Sequence, residues 1–212
     1  MKLIHSILVT LALLLLTVAD AVSAPLSAAR QKEVVASLSK AAAAMSSMSC
    51  DIVQTKQMSL LKDKMVSRGK MYYKKSNKLR WEYTSPYTYS LILNGTKASM
   101  KGKNRKDVVD VDNNKVFKEI SRIMMSTVTG NALTSTSDFT STVADGNATW
   151  EVILLQKRRD HRQMFSKIIL SFRKSDSQVQ RIRLYEKKGD VTTIEMKNIV
   201  SPARLNDSLF TI

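Results

Sequence analysis

From Met48 onward, apolar side chains recur at every second position in short segments, and that period decides what the chain can fold into. Leu79, Trp81 and Tyr83 alternate with Arg80 and Glu82; Tyr89, Leu91 and Leu93 alternate with Ser90 and Ile92. Ile168, Leu170 and Phe172 alternate with Lys167, Ser171 and Arg173. Farther on, Ile182 and Leu184 are flanked by Arg181 and Arg183, and Ile194 and Met196 by Glu195 and Lys197. Successive side chains of a strand point to opposite faces, so this pattern predicts half-buried antiparallel strands. Asn94-Gly95, Asp145-Gly146 and Gly189-Asp190 separate them. The first is the strongest hairpin signal, because both central positions of a type I′ turn need positive φ. Asn94-Gly95-Thr96, Asn147-Ala148-Thr149 and Asn206-Asp207-Ser208 match the glycosylation pattern but read as turns.

Two stretches follow the helical period instead. Val34, Leu38, Ala41, Ala42 and Met45 fall at helical spacing among Arg30, Lys32, Glu33 and Lys40, which predicts an amphipathic helix over 27–46. Val116, Ile120, Ile123 and Met124 form a second stripe, with Asn113 or Asn114 as N-cap and Gly130 as stop. A polar stretch from Asn131 to Ser141 reads as a mobile loop. Roughly ten strands in a meander, with no βαβ rhythm and no repeat, predict an α+β fold: a large antiparallel sheet with helices on one face.

The N-terminus reads as an export signal. Lys2, an apolar run from Ile4 to Val18 and small residues at Ala19-Asp20-Ala21 and Val22-Ser23-Ala24 have the required order. The run is shorter than the roughly 20 residues that span a bilayer. Pro25 sits badly just after a cut at Ala24, which places the expected cleavage after Ala21. The expected organisation is a signal peptide over 1–21, removed on export from the cytoplasm, and one domain over 22–212. A single cysteine, Cys50, forms no internal disulfide and reads as a buried apolar residue at a strand start.

The formal net charge of +16 points to anionic partners: nucleic acid, acidic lipid head groups or an acidic protein face. Nucleic acid is disfavoured, because the charges are scattered among apolar residues and no nucleic-acid motif accompanies them. A docking surface fits better, including transient contact with an anionic membrane. Catalysis is disfavoured too. His161 is the one histidine beyond the signal and sits in a charged loop, while Asp110 and Asp112 lead into a helix cap. No HExxH, GxSxG, Cys/His cluster or glycine-rich phosphate loop is present, so no enzyme, metal or cofactor is expected.

The most distinctive stretch is Arg68-Gly69-Lys70-Met71-Tyr72-Tyr73-Lys74-Lys75-Ser76-Asn77-Lys78-Leu79-Arg80-Trp81-Glu82-Tyr83, followed by Ser85-Pro86 and Leu91-Ile92-Leu93-Asn94-Gly95. It resembles the signature region of the periplasmic outer-membrane lipoprotein carrier family, the LolA-like proteins: a glycine-led strand, a basic turn, a strand ending in tryptophan, a proline and an Asn/Asp-Gly hairpin. Gln54-Thr55-Lys56 upstream, and Phe165 to Phe172, Gln180 to Tyr185, Gly189 to Ile199 and Leu205 to Ile212 downstream, resemble its other strands and tail.

The resemblance implies an unclosed β-barrel of about eleven strands with a helical lid over an apolar cavity that receives lipoprotein acyl chains. It further implies a monomeric carrier taking acylated lipoproteins from an inner-membrane lipoprotein-releasing ABC transporter to an outer-membrane acceptor. A binding or sensing module for another lipid or glycolipid on the same fold is the alternative. Where the family commonly has Arg-Pro, this chain has Lys75-Ser76. Lysine keeps the charge but not the planar fork of donors, so Lys75 is expected to be a weaker lid latch.

The residues expected on the cavity face are Met71 or Tyr72, Trp81, Tyr83, Leu91, Leu93, Leu154, Ile169 or Phe172, and Leu184, with Ile120 and Met124 from the second helix. For any one of them a packed core is the competing assignment. Two helices are few for so wide a sheet, however, and their alanine and methionine faces pack adaptably or leave room.

Overall fold

A computed structural model describes residues 26–60, 63–103, 106–113, 118, 121, 125, 133, 139–157 and 165–212. The expected signal over 1–21 lies outside them, as do Ile120, Met124 and His161. Helix α1 (Ala28–Ala44) precedes eleven strands: β1 (Ser47–Gln57), β2 (Lys64–Lys74), β3 (Lys78–Ser85), β4 (Tyr89–Asn94), β5 (Lys97–Lys101), β6 (Lys106–Asp110), β7 (Phe139–Asp145), β8 (Thr149–Gln156), β9 (Phe165–Arg173), β10 (Val179–Glu186) and β11 (Val191–Val200). All belong to one antiparallel sheet in the order β6-β5-β4-β3-β2-β1-β11-β10-β9-β8-β7. β1 and β11 pair at its centre, while β6 and β7 end it on either side, so the barrel stays open.

Alternation sorts the side chains into two faces. On the inner face one row runs Met48, Tyr73, Leu79, Leu93, Ala98, Val109 across β1 to β6. Another runs Ile194, Ile182, Leu170, Val152, Val143 across β11 to β7. Most of these residues are buried in one continuous core cluster. The outer face carries the ionic pairs: Arg183 to Glu151 at 2.8 Å, Arg181 to Glu195 at 3.2 Å and Arg80 to Glu82 at 2.7 Å.

The C-terminal segment crosses this outer face. Ser47 Oγ donates to Ala203 O (2.8 Å), Arg80 Nη1 to Leu209 O (3.3 Å) and Asn94 Nδ2 to Phe210 O (3.1 Å). Phe210 and Ile92 are buried but stand outside the main cluster, as a second small core under the tail.

Two expectations meet a different local structure, and a third agrees where it is described. The polar stretch ending at Ser141 is strand from Phe139 onward, because β7 pairs with β8 and Phe139 packs against the core. The β4–β5 turn is centred on Gly95-Thr96, since Asn94 pairs with Lys97; only Gly95 has positive φ (63°), the pattern of a type II′ turn, not I′. Of the second expected helix, Lys118, Ser121 and Met125 are described and helical, and Met125 packs against the core.

Cys50 lies on the inner face opposite Met71, as a buried residue of β1. Burial, with the nearby Asp51 charge adding to it, pushes its thiol up from 9.0 to about 12. At pH 8 almost none of it is thiolate, so the native chain should react with Ellman's reagent only as fast as it unfolds. Rapid labelling without denaturant would contradict this packing. Because the folded-state value is raised, the associated stability is present below pH 9 and is lost as pH climbs towards 12.

Candidate functional site

The inner face is roofed on one side by α1. Ser27 caps the helix by accepting from Arg30 N–H (3.4 Å). Leu26 N–H donates to Val143 O (3.1 Å) and Gln31 Oε1 accepts from Val143 N–H (3.0 Å), so the helix start covers the open edge of β7. Edge strands otherwise present unpaired backbone groups. Trp150 of β8 is flanked by Arg30 (5.4 Å from the ring centre) and Lys174 (4.3 Å), which anchors the same region by cation–π contact.

Beyond this pinned start α1 is lightly held. Only Val34 and Leu38 are buried, with Val35 and Met45 partly so. The last turn carries no basic side chain, and the helix ends where Met45 turns extended. Here the sheet and helix leave space: an open cavity of about 220 Å³ lies between Ala41, Ala42, Ala44 and Met45 of the helix end and Met48, Phe172 and Val179 of the sheet, with Ser201 and the Asp176–Gln178 turn along its rim. Its lining is mainly apolar. An apolar cavity of about 150 Å³ already takes benzene, so this one has the room for an apolar group of that size.

The expected site residues divide clearly. Met71, Trp81, Tyr83, Leu91 and Leu93 share the inner face on the β2–β4 side, and Leu154, Phe172 and Leu184 share it on the β8–β10 side. Trp81 meets Tyr83 edge-on at 6.3 Å, and Tyr83 OH donates to Gln54 Oε1 at 2.7 Å. Burial pushes the Tyr83 hydroxyl above its usual range. Tyr72 and Ile169 lie on the outer face, opposite Arg80 and Arg183, so Met71 and Phe172 are the inward members of those pairs. Of this set only Phe172 lines the open cavity; Met71, Trp81, Leu91, Leu93 and Leu154 are buried in the packed core behind it. The alanines at the end of α1 are the lining that strand alternation could not locate.

Lys75 is exposed in the β2–β3 turn. Its N–H donates to Ser46 O at 2.9 Å, just past the end of α1, while its ammonium has no partner among the described residues. Among the described residues no three His, Cys, Asp or Glu come together in a way that could hold a metal, and no helix is long and apolar enough to cross a membrane.

Among the described residues the architecture is an open antiparallel barrel with helix α1 across its inner face. The family model of outer membrane lipoprotein carrier protein LolA matches residues 43–212, and the chain belongs to that family. No protein of curated function matches the chain. Among solved structures, an uncharacterized conserved protein from Thermus thermophilus is 10% identical with a TM-score of 0.53, over 85% of this chain and 92% of that one. The complex of MucA and MucB from Pseudomonas aeruginosa gives 9% identity and a TM-score of 0.52, over 86% of this chain and 61% of that one. At such identities the likeness is one of fold. The family's fold is one of binding and carrying, and eleven strands in an open sheet with a covering helix match it.

Proposed function

We propose that this protein is a periplasmic carrier that shields the acyl chains of lipoproteins between α1 and the inner face of the sheet, moving them from the inner to the outer membrane. The observation that carries the reading is the apolar cavity beneath the alanines of α1, in a chain of the LolA family. Pockets that enclose drug-sized ligands run from about 300 to 1,000 Å³, so the 220 Å³ here admits part of one chain and full loading requires α1 to move outward.

Magnitudes make that movement feasible. The buried Val34 and Leu38 contribute about 1.5–3 kcal/mol each to holding the helix. Each buried methylene contributes about 0.8 kcal/mol, so fewer than about ten methylenes offset the helix contacts they displace. Such binding is non-directional, which suits a carrier of many cargoes. The donor in this reading is an inner-membrane lipoprotein-releasing ABC transporter and the recipient an outer-membrane acceptor.

Native mass spectrometry of the purified protein co-expressed with a lipoprotein tests the proposal. Acylated species bound to the protein are the expected result. None under conditions that retain cargo on a control carrier would sink it. A second reading, a module binding another lipid or a protein partner, is favoured by MucB, which on this fold is seen in complex with MucA. Depletion in the cell separates the two, because mislocalised lipoproteins follow only from the carrier.

A further inference from the structure

One end of the sheet has no part in the cavity. β2 begins at Lys64 while β3 ends at Ser85, opposite Arg68. Residues 64–67 therefore pair with β1 alone and project about 13 Å past β3, at roughly 3.3 Å per residue. Among its described residues this end exposes large apolar side chains that water does not favour: Leu60 is 95% exposed, Met65 51% and Val66 43%. Alternation puts Met65 on the inner side and Val66 on the outer, so both sides of the hairpin present apolar surface.

The chain leaving β1 is held in place. Ser59 N–H donates to Asp190 Oδ1 (2.9 Å) and Ser59 Oγ to Lys188 O (3.0 Å), which clamps the β1–β2 turn to the β10–β11 turn. Lys56 lies 2.9 Å from Glu186 and 3.4 Å from Asp190, answering the two carboxylates beneath the tip. Exposed Lys187 and Lys188 thereby stand beside Leu60, with exposed Lys64 on the other arm and Asp63 as the exposed acid between.

We propose that this tip is a docking point for an anionic lipid bilayer surface. Leu60 and Met65 enter the acyl boundary while Lys64 and Lys188 lay their stems along it and keep their ammonium groups at the head groups. A small apolar wedge plus a basic cluster supplies the two signals that reversible membrane attachment needs. A protein partner would call for roughly 800 Å² of complementary surface, and a narrow hairpin end offers far less. The inference does not depend on what fills the cavity.

Flotation of the purified protein with phosphatidylglycerol-containing vesicles, beside pure phosphatidylcholine vesicles, tests it. Wild type should float with the anionic vesicles and be released by salt. Leu60→Asp should lower the partition coefficient at least about tenfold, and the double change Lys64→Glu with Lys188→Glu should remove the preference for anionic lipid. Both variants should melt close to wild type, since exposed positions outside special contacts change stability little. Equal flotation of Leu60→Asp and wild type would overturn the proposal. So would the absence of wild-type binding to protein-free vesicles alongside protease-sensitive binding to native membranes, which would assign the tip to a receptor protein.

Discussion

Replacing Gly69 with alanine should lower the melting temperature by about 6–12 °C, taking a cost of roughly 3 kcal/mol at about 2–4 °C per kcal/mol for a domain of this size. A Cβ at this position would stand 1.8 Å from Glu82 O, 2.8 Å from Glu82 C and 2.9 Å from Tyr83 Cα. All three are backbone atoms, so no side-chain rotation relieves the contact; β2 and β3 would have to part. The close approach follows from a bulge. Arg68 pairs with Ser85 but Gly69 pairs with Tyr83, leaving Thr84 as an extra residue whose Oγ1 donates to Arg68 O at 3.3 Å. Bulges of this kind sharpen the local twist and bend a strand. The glycine thus helps curl the sheet at the point where Trp81 and Tyr83 turn inward.

Gly102→Ala is the matched control. Nothing lies within 4 Å of its added Cβ and its φ is ordinary, so calorimetry should find that variant near wild type. If Gly69→Ala also melts like wild type, the bulge does not constrain the sheet.

How far this architecture can be read from the residues depends on whether their pattern is degenerate. Trp81, Tyr83, Leu91 and Leu93 are separated by polar or outward residues, and alternation assigns their face. Met71-Tyr72-Tyr73 and Ile168-Ile169-Leu170 are apolar throughout, so period two fits either phase. Only pairing fixes the phase: Met71 stands opposite Cys50 and Trp81, and Ile168 opposite Leu154, which sends Tyr72 and Ile169 outward. Ile169 is buried there even so, beside Ile153, which a simple inside-apolar rule would misread.

Other features depend on long-range contacts with no local signature. Phe210 lies in a polar tail, and its burial goes with Asn94 donating to its own carbonyl and Arg80 to that of Leu209, both more than a hundred residues away on the outer face. Leu60 lies in a turn whose composition looks ordinary; its meaning comes from Ser59 clamping it beside Lys187 and Lys188. The poly-alanine end of α1 reads as good helix propensity. Its second consequence, room beneath the helix, emerges only once Phe172 and Val179 are seen to leave that room unfilled.

That room yields the second large effect expected. Ala42→Phe places an aromatic ring in the cavity beneath α1, displacing roughly three methylenes of any chain bound there. At about 0.8 kcal/mol each this is ~2.4 kcal/mol, or roughly a fifty-fold rise in Kd for a fluorescent acyl ligand. Stability should hold or rise, because filling an apolar cavity commonly adds about 0.5–2 kcal/mol. Ala43, one position along, is exposed and outside the lining, so Ala43→Phe should bind as wild type does. The pair separates occupancy of the cavity from a general effect of adding a large ring to the helix. Equal affinity for all three proteins, with the ring introduced by Ala42→Phe shown to be seated in the cavity, would mean that acyl chains enter elsewhere on the inner face. A loss shared by both variants would instead assign the effect to α1 as a whole, pinned at its start by the Gln31 and Val143 contact.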